Sequence, residues 1–186
     1  MVTFSKPSRK VHTTWLHCSA SSAKSADNVE EIRRWHLARG WSDVGYHYFI
    51  KRNGTIQKGR PINRIPAAQR GHNTGSIAIC LHGAGGNPPK NDFTKAQFTS
   101  LKKLCMQINT AYNGKMKFRG HREVAAKACP VFDYKKALKL DSNKQMSLTS
   151  APPPPTEVNE PPSPVSKPSF WTQLFELIAN LFRRGT

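Results

Sequence analysis

The chain has 186 residues, a length that supports one well-packed core, so we expect a single folded domain. Its formal net charge at pH 7 is +18. The whole excess of positive charge lies in residues 1–150, because residues 151–186 contain three basic residues and three glutamates. A surface this basic attracts polyanions such as nucleic acid, anionic cell-wall polymers or lipid headgroups, and charge alone does not choose among them. The four cysteines lack a compact framework spacing, which argues against a disulfide-stabilised scaffold.

The N-terminal segment carries no secretion signal that the sequence reveals. Residues 1–10 contain no apolar stretch followed by a small-residue cleavage site. We therefore expect synthesis in the cytoplasm, without a signal peptide.

The first predicted elements are a strand and a helix. Residues 11–16 form an apolar run that predicts a strand with His17 at its tip. Asp27 and Glu30 have the spacing of a capping box, and apolar residues then recur on one helical face until Gly40 supplies a stop.

A hairpin is predicted next. Residues 46–51 are rich in aromatic and branched side chains, and the Asn53-Gly54 turn separates them from a second short strand at residues 56–58. Residues 61–74 show no periodicity and predict an irregular surface segment.

The second half of the chain continues the alternation of strands and helices. Residues 76–82 predict a strand, and Thr94 with Gln97 predicts a capping box before a regular apolar stripe that Gly114 ends. Residues 116–119 predict a short strand that delivers His121, and residues 131–140 a third helix. The predicted fold class is α/β, a central mixed sheet flanked by about three helices.

The C-terminal part differs in composition. Proline is concentrated in the predicted linker, residues 149–168, and favours an extended spacer over a core. The predicted catalytic or binding domain is then residues 1–148, and residues 169–186 form an amphipathic helix too short to cross a bilayer of about 30 Å. Its apolar face comprises Trp171, Leu174, Phe175, Ile178, Leu181 and Phe182.

Residues 121–129 contain the pattern of a metal site. His121 and Cys129 are eight positions apart, and Lys127 lies two residues before the thiol. A third ligand must come from elsewhere, and His17 is the best candidate. Two histidines and one thiolate would leave the fourth tetrahedral position open, as catalytic zinc requires.

Five short motifs, read together, resemble the zinc N-acetylmuramoyl-L-alanine amidases of bacteriophages, which share their fold with peptidoglycan recognition proteins. The likeness runs from about residue 11 to residue 140, in order and with matching spacing. The motifs are His17-Cys18-Ser19-Ala20, Gly45-Tyr46-His47-Tyr48, Asn53-Gly54-Thr55, Asn73 with Ser76-Ile77, and His121 through Cys129-Pro130.

The resemblance implies specific roles. It implies zinc ligands His17, His121 and Cys129, with Tyr46 and Lys127 as the catalytic side chains. It also implies cleavage of the amide between the lactyl group of N-acetylmuramic acid and L-alanine, with peptidoglycan as substrate and the cell wall as site of action after release from the host cytoplasm. One departure concerns a loop in which many relatives carry a histidine, where this chain has Ala67-Ala68.

Each assignment has a simpler alternative. Taken singly, His17, Tyr46 and Lys127 would be packed or solvated residues rather than functional ones. His36 on the apolar helix face and His47 in a strand are interpreted as core residues, the latter with a second reading as support for a metal ligand. The three remaining thiols are interpreted as small buried hydrophobes, namely Cys18, Cys80 and Cys105.

Several functions compete for this sequence. The first is an endolysin that opens the host cell wall. The second is a binding module that recognises peptidoglycan without cutting it, a class that typically lacks the thiolate ligand. The third is a regulator that binds the phage RNA polymerase, and direct nucleic-acid binding ranks last. For the tail, contact with a membrane surface competes with packing onto the domain or self-association.

Overall fold

The computed structural model describes residues 2–148. The chain divides into two units, Met1–Ala151 and Pro152–Thr186, and all the described residues lie in the first. The predicted linker, 149–168, and the predicted amphipathic helix, 169–186, fall outside the described residues. Within the described part, no helix is both long and apolar enough to span a bilayer.

A five-stranded mixed sheet organises the fold. The strands are β1 Thr13–Cys18, β2 Tyr48–Ile50, β3 Ile56–Lys58, β4 Ser76–Leu81 and β5 Lys117–Gly120. Their order in the sheet is β3-β2-β4-β1-β5, and every neighbouring pair is parallel except β2 with β3, the hairpin predicted around Asn53-Gly54.

Within residues 2–148, three α-helices accompany the sheet, which confirms the predicted fold class. Two short 3-10 helices, Lys24–Ala26 and His121–Glu123, were not predicted. The α-helices are α1 Val29–Ala38, α2 Lys95–Ala111 and α3 Tyr134–Leu138.

The helix starts follow from side-chain caps, and one predicted cap was wrong. Asn28, not Asp27, accepts a hydrogen bond from the Glu30 backbone N–H at the start of α1. The Asp27 carboxylate instead accepts the backbone N–H of Arg52 at 3.0 Å, so a contact distant in sequence moves the cap by one residue.

Side chains also cap the starts of α2 and α3. The capping box predicted for α2 is present, with Thr94 and Gln97 each accepting from the other's backbone N–H. The third helix is shorter than the predicted span of 131–140. It begins after Asp133, whose side chain accepts the backbone N–H of Lys136 as a helix cap, and Val131, with φ +71°, lies outside the right-handed helical region.

The two faces of the sheet bury different sets of side chains. On β1, Leu16 faces the larger core, which is shared with α2 residues such as Leu101. Trp15 and His17 face the other side because side chains alternate along a strand. There Phe49 and Cys80 pack with residues of α1.

The predicted buried cysteines and histidines are confirmed as core residues. Cys18, Cys80 and Cys105 are free and buried, and His36 and His47 are 5% and 1% exposed. His47 accepts the backbone N–H of Ala78 through Nδ1 and lies 3.0 Å from the Arg64 carbonyl through Nε2. These bonds hold backbone segments together, so His47 does not support a metal ligand.

Glu123 joins three segments of the second half of the chain. Its carboxylate accepts hydrogen bonds from Arg119 at 3.0 Å, from the Tyr134 hydroxyl at 2.6 Å and from the backbone N–H of Gly120, and it pairs with Lys144. Burial alone would raise the pKa of Glu123, but these bonds outweigh burial and lower the pKa to about 2.

We predict that Glu123→Gln lowers the free energy of unfolding by about 1–3 kcal/mol at pH 7, the usual range for hydrogen bonds to a charged group. A carboxylate with a lowered pKa stabilises the fold above its unfolded pKa of about 4.3 and loses that effect as the pH falls through its folded value. In urea denaturation, the difference in free energy of unfolding between the wild type and Glu123→Gln should therefore become smaller as the pH falls from 5 to 2. The control Glu31→Gln, which removes one ion pair with the exposed Arg34, should change stability little. An equal loss at pH 7 and pH 2 for Glu123→Gln would contradict this account.

Candidate metal centre

The parallel arrangement of β1 and β5 brings two histidines together. His17 is the fifth of the six residues of β1, close to the predicted tip of the strand, and it is 1% exposed. His121 directly follows β5. Because parallel strands end at the same edge of a sheet, the two imidazoles meet there, with ring centroids 4.8 Å apart.

The loop after β5 returns the thiol of Cys129 to the same place. The backbone N–H of Arg122 donates to the Cys129 carbonyl at 2.7 Å, which closes the loop on itself. The backbone N–H of Cys18 donates to the Cys129 sulfur at 3.2 Å. This sulfur lies 3.8 Å from Nδ1 of His17.

The three side chains fit a metal ion. One ligand atom each from His17, His121 and Cys129 lies within 4.8 Å of the others. Nitrogen and sulfur ligands that bind one tetrahedral ion at about 2.0–2.3 Å must lie this close to one another. Within residues 2–148, no other group of three histidine, cysteine or acidic side chains meets this criterion.

Gly120 makes this geometry possible. A Cβ atom at residue 120 would lie 2.5 Å from Cε1 of Tyr134 and 3.0 Å from Cδ of Pro130. Only glycine allows this close approach, so the residue before His121 can pack directly under the loop that carries Cys129.

The electrostatic environment keeps both imidazoles neutral. The pKa of His17 is lowered to about 3, chiefly by burial and also by the charges of His121 and Lys127, against a raising effect from Gln69. Burial and Lys127 also lower the pKa of His121. Neutral imidazole is the form that binds a metal.

The Cys129 thiol is the one ligand that must lose a proton. A hydrogen bond with the Cys18 thiol and burial both raise the pKa of Cys129. The metal-free protein therefore holds a protonated thiol, and metal binding at neutral pH displaces that proton.

Tyr46 lies beside the candidate metal ligands. Its ring centroid is 5.2 Å from that of His17 and 5.5 Å from that of His36. Burial and the neighbouring thiols, Cys80 first, raise the pKa of Tyr46 well above its usual range. The phenol therefore stays protonated at neutral pH and can donate a hydrogen bond.

The segment that carries Tyr46 is fixed by contacts that the sequence analysis missed. The backbone N–H of Gly45 donates to Nδ1 of His36 at 3.0 Å, and the Gly45 carbonyl accepts the backbone N–H of Ala67. A Cβ atom at residue 45 would lie 2.3 Å from the Ala67 carbonyl oxygen. The Gly-Tyr-His motif thus requires its glycine for a close backbone contact.

Lys127 is exposed and lies on the loop that joins His121 to Cys129. Its backbone N–H donates to the Ala125 carbonyl at 2.8 Å and forms a tight turn. Its positive charge lowers the pKa of both His17 and His121, which places the ammonium group within electrostatic range of the ligand cluster.

One contact to the cluster had no signal in the sequence. Oε1 of Gln69 lies 2.7 Å from Nε2 of His17, and both side chains are buried. The sequence marks only the neighbouring Ala67-Ala68 as a departure from the family. Gln69 lies in an irregular segment without periodicity, so only the folded structure reveals its position.

Comparisons with known proteins identify the family of the chain. The family model for N-acetylmuramoyl-L-alanine amidase matches residues 7–132. The endolysin of Klebsiella phage KP32 is 42% identical over 125 residues, which cover 66% of this chain and 82% of that protein.

Solved structures show the same fold. The N-acetylmuramoyl-L-alanine amidase LysC from Clostridium intestinale URNW superposes with a TM-score of 0.61 at 26% identity, covering 70% of this chain and 85% of that one. Drosophila peptidoglycan recognition protein LB gives a TM-score of 0.51 at 26% identity, covering 67% and 76%. The resemblance inferred from the motifs is confirmed, and the chain belongs to the N-acetylmuramoyl-L-alanine amidase family as a cell-wall-degrading enzyme of the phage endolysin type.

Proposed function

We propose that this amidase is zinc-dependent and that His17, His121 and Cys129 hold the ion. The observation that carries the proposal is the cluster of two neutral imidazoles and one thiol at the common end of β1 and β5. This donor set is typical of catalytic zinc, because three protein ligands leave a fourth position for water or substrate. When bound, zinc supplies a Lewis acid that polarises a carbonyl and lowers the pKa of water toward neutrality.

The flanking side chains suit hydrolysis of an amide. The reaction breaks the bond between the lactyl carbonyl of N-acetylmuramic acid and the nitrogen of L-alanine, so negative charge develops on the carbonyl oxygen and the leaving nitrogen gains a proton. The Lys127 ammonium group can stabilise the negative charge, and the protonated Tyr46 hydroxyl can orient water or take part in proton transfer. The competing reading, a module that binds peptidoglycan without cutting it, assigns no such work to these two residues.

Zinc binding should stabilise the fold. At a free concentration of 100 times the dissociation constant, a ligand that binds only the folded state adds about 2.7 kcal/mol, or about 5–10 °C in melting temperature for a chain of this size. We predict this rise on adding zinc to the chelated protein, measured by calorimetry. Cys129→Ala should abolish the rise, whereas Cys105→Ala, a buried thiol on α2, should retain it. Equal rises in both variants would exclude Cys129 as a ligand.

Activity is measured best as the release of free L-alanine amino groups from purified peptidoglycan. We expect amines without new reducing sugar ends, and only in the zinc-loaded protein. Lys127→Ala should lower kcat on the order of 10²–10³-fold with normal zinc content, the usual effect of losing an oxyanion donor. The control Lys135→Ala, an exposed lysine on α3, should keep the wild-type rate.

The same assay separates the remaining roles. A Lys127→Ala protein of normal rate would remove Lys127 from the mechanism. Tyr46→Phe retains the ring that packs on His17 and removes only the hydroxyl, so the pH profiles of the two variants should identify which side chain handles the proton. A wild-type protein that binds zinc and peptidoglycan but releases no amine would support the binding-module reading.

The proposed partners other than peptidoglycan stay predictions. Contact with a membrane surface rests on the apolar residues 171–182, which lie outside the described residues, and binding to the phage RNA polymerase rests on the family resemblance. For the membrane, we predict that the full chain binds zwitterionic lipid vesicles, on which the basic domain gains no charge attraction. Phe175→Asp should weaken this binding because it places a charge on the apolar face. Unchanged co-sedimentation with vesicles after Phe175→Asp or truncation after Pro168 would contradict the membrane reading.

A further inference from the structure

The irregular segment between β3 and β4 places one glutamine against the metal-ligand cluster. Gln69 is 2% exposed, although it lies outside any helix or strand. The Asn73 side-chain oxygen accepts the backbone N–H groups of Ala68 and Gln69 at 2.9 and 3.0 Å. Asn73 thereby fixes the backbone from which the Gln69 side chain projects.

The contact with His17 determines which ring nitrogen carries the proton. Nδ1 of His17 faces the Cys129 sulfur, 3.8 Å away, so this nitrogen is the one placed to bind a metal. The other nitrogen, Nε2, lies 2.7 Å from Oε1 of Gln69. An amide oxygen only accepts hydrogen bonds, so Nε2 must donate and Nδ1 must present its lone pair.

The remaining half of the amide argues against a purely structural role. Nε2 of Gln69 is buried and has no hydrogen-bond partner in the described part of the chain. Burying the NH2 group of an amide without a hydrogen-bond partner is unfavourable. An apolar side chain of similar size would fill the same space without this cost. The bond from His17 is the favourable polar contact that the Gln69 side chain makes.

We propose that Gln69 is a positioning residue of the metal centre. It accepts the His17 Nε2–H bond, fixes the tautomer and the orientation of the imidazole, and directs Nδ1 toward the metal. Asn73 holds Gln69 in place. This inference rests on the proposed zinc-dependent function. It places the residue that orients His17 directly after Ala67-Ala68 in the sequence.

The test measures zinc affinity rather than activity. Competition with a chromophoric chelator gives the dissociation constant, and the absorption spectrum of the cobalt-substituted protein reports ligand geometry. Removing a partner that orients a ligand typically weakens metal binding 10–100-fold, so we expect this loss and a changed cobalt spectrum in Gln69→Leu. Gln69→Glu retains an oxygen acceptor of similar reach and should restore both.

Controls separate positioning from folding. Gln107→Leu removes another amide that accepts a distant backbone N–H, that of Phe4, and should leave zinc affinity unchanged. The melting temperature of each metal-free variant shows whether it folds, and Gln69→Ala replaces the leucine variant if that protein does not.

The outcomes are distinguishable. Wild-type zinc affinity in Gln69→Leu, or failure of Gln69→Glu to restore affinity, would overturn the positioning role alone. A wild-type protein that binds no zinc would overturn the proposed function and this role with it.

Discussion

Strand β1 pairs in parallel with both of its neighbours, and this pairing determines where the core and the candidate site lie. On one side β1 pairs with β4 over six residues, and on the other with β5 over four. This arrangement buries Leu16 in the larger core and, one residue later, directs His17 to the opposite face, where its Nδ1 lies 3.8 Å from the Cys129 sulfur. The same pairing thus supplies both the core and the position of the first proposed metal ligand.

The sequence predicts those parts of the fold whose signals are local. The apolar stripe and capping box of α2 and the Asn-Gly hairpin appear in the structure because neighbouring residues determine them. The rule that parallel strands end at the same edge of a sheet, together with the family resemblance, predicts that His17, His121 and Cys129 lie close together. The start of α1 was predicted one residue early, because Asp27 and Asn28 are both suitable caps. Only the folded structure shows that the Asp27 carboxylate instead accepts the distant backbone N–H of Arg52.

The supporting contacts of the site could not be predicted, because they join segments far apart in sequence. The position of Gln69 depends on Asn73 and on the approach of Ala67 to Gly45, and none of these contacts produces a periodic pattern. The packing of Tyr134 against Gly120 is likewise invisible before the loop is folded.

The acidic residues explain why the basic charge of the domain persists at its surface. Five of the eight acidic side chains before residue 150 form ion pairs, and the other three accept backbone N–H groups at turns or helix starts. Most lysines and arginines therefore have no acidic partner within the domain. The field that remains favours approach to anionic envelope polymers and is screened by salt.

The distance along the chain between the proposed metal ligands has a consequence for timing. Cys129 and His17 are 112 residues apart in sequence yet only 3.8 Å apart between sulfur and nitrogen. A ribosome must therefore release nearly the whole domain, and the domain must fold, before the three proposed ligands come together. A partly synthesised chain lacks the proposed site, and uptake of a coloured metal such as cobalt would record the moment when folding is complete.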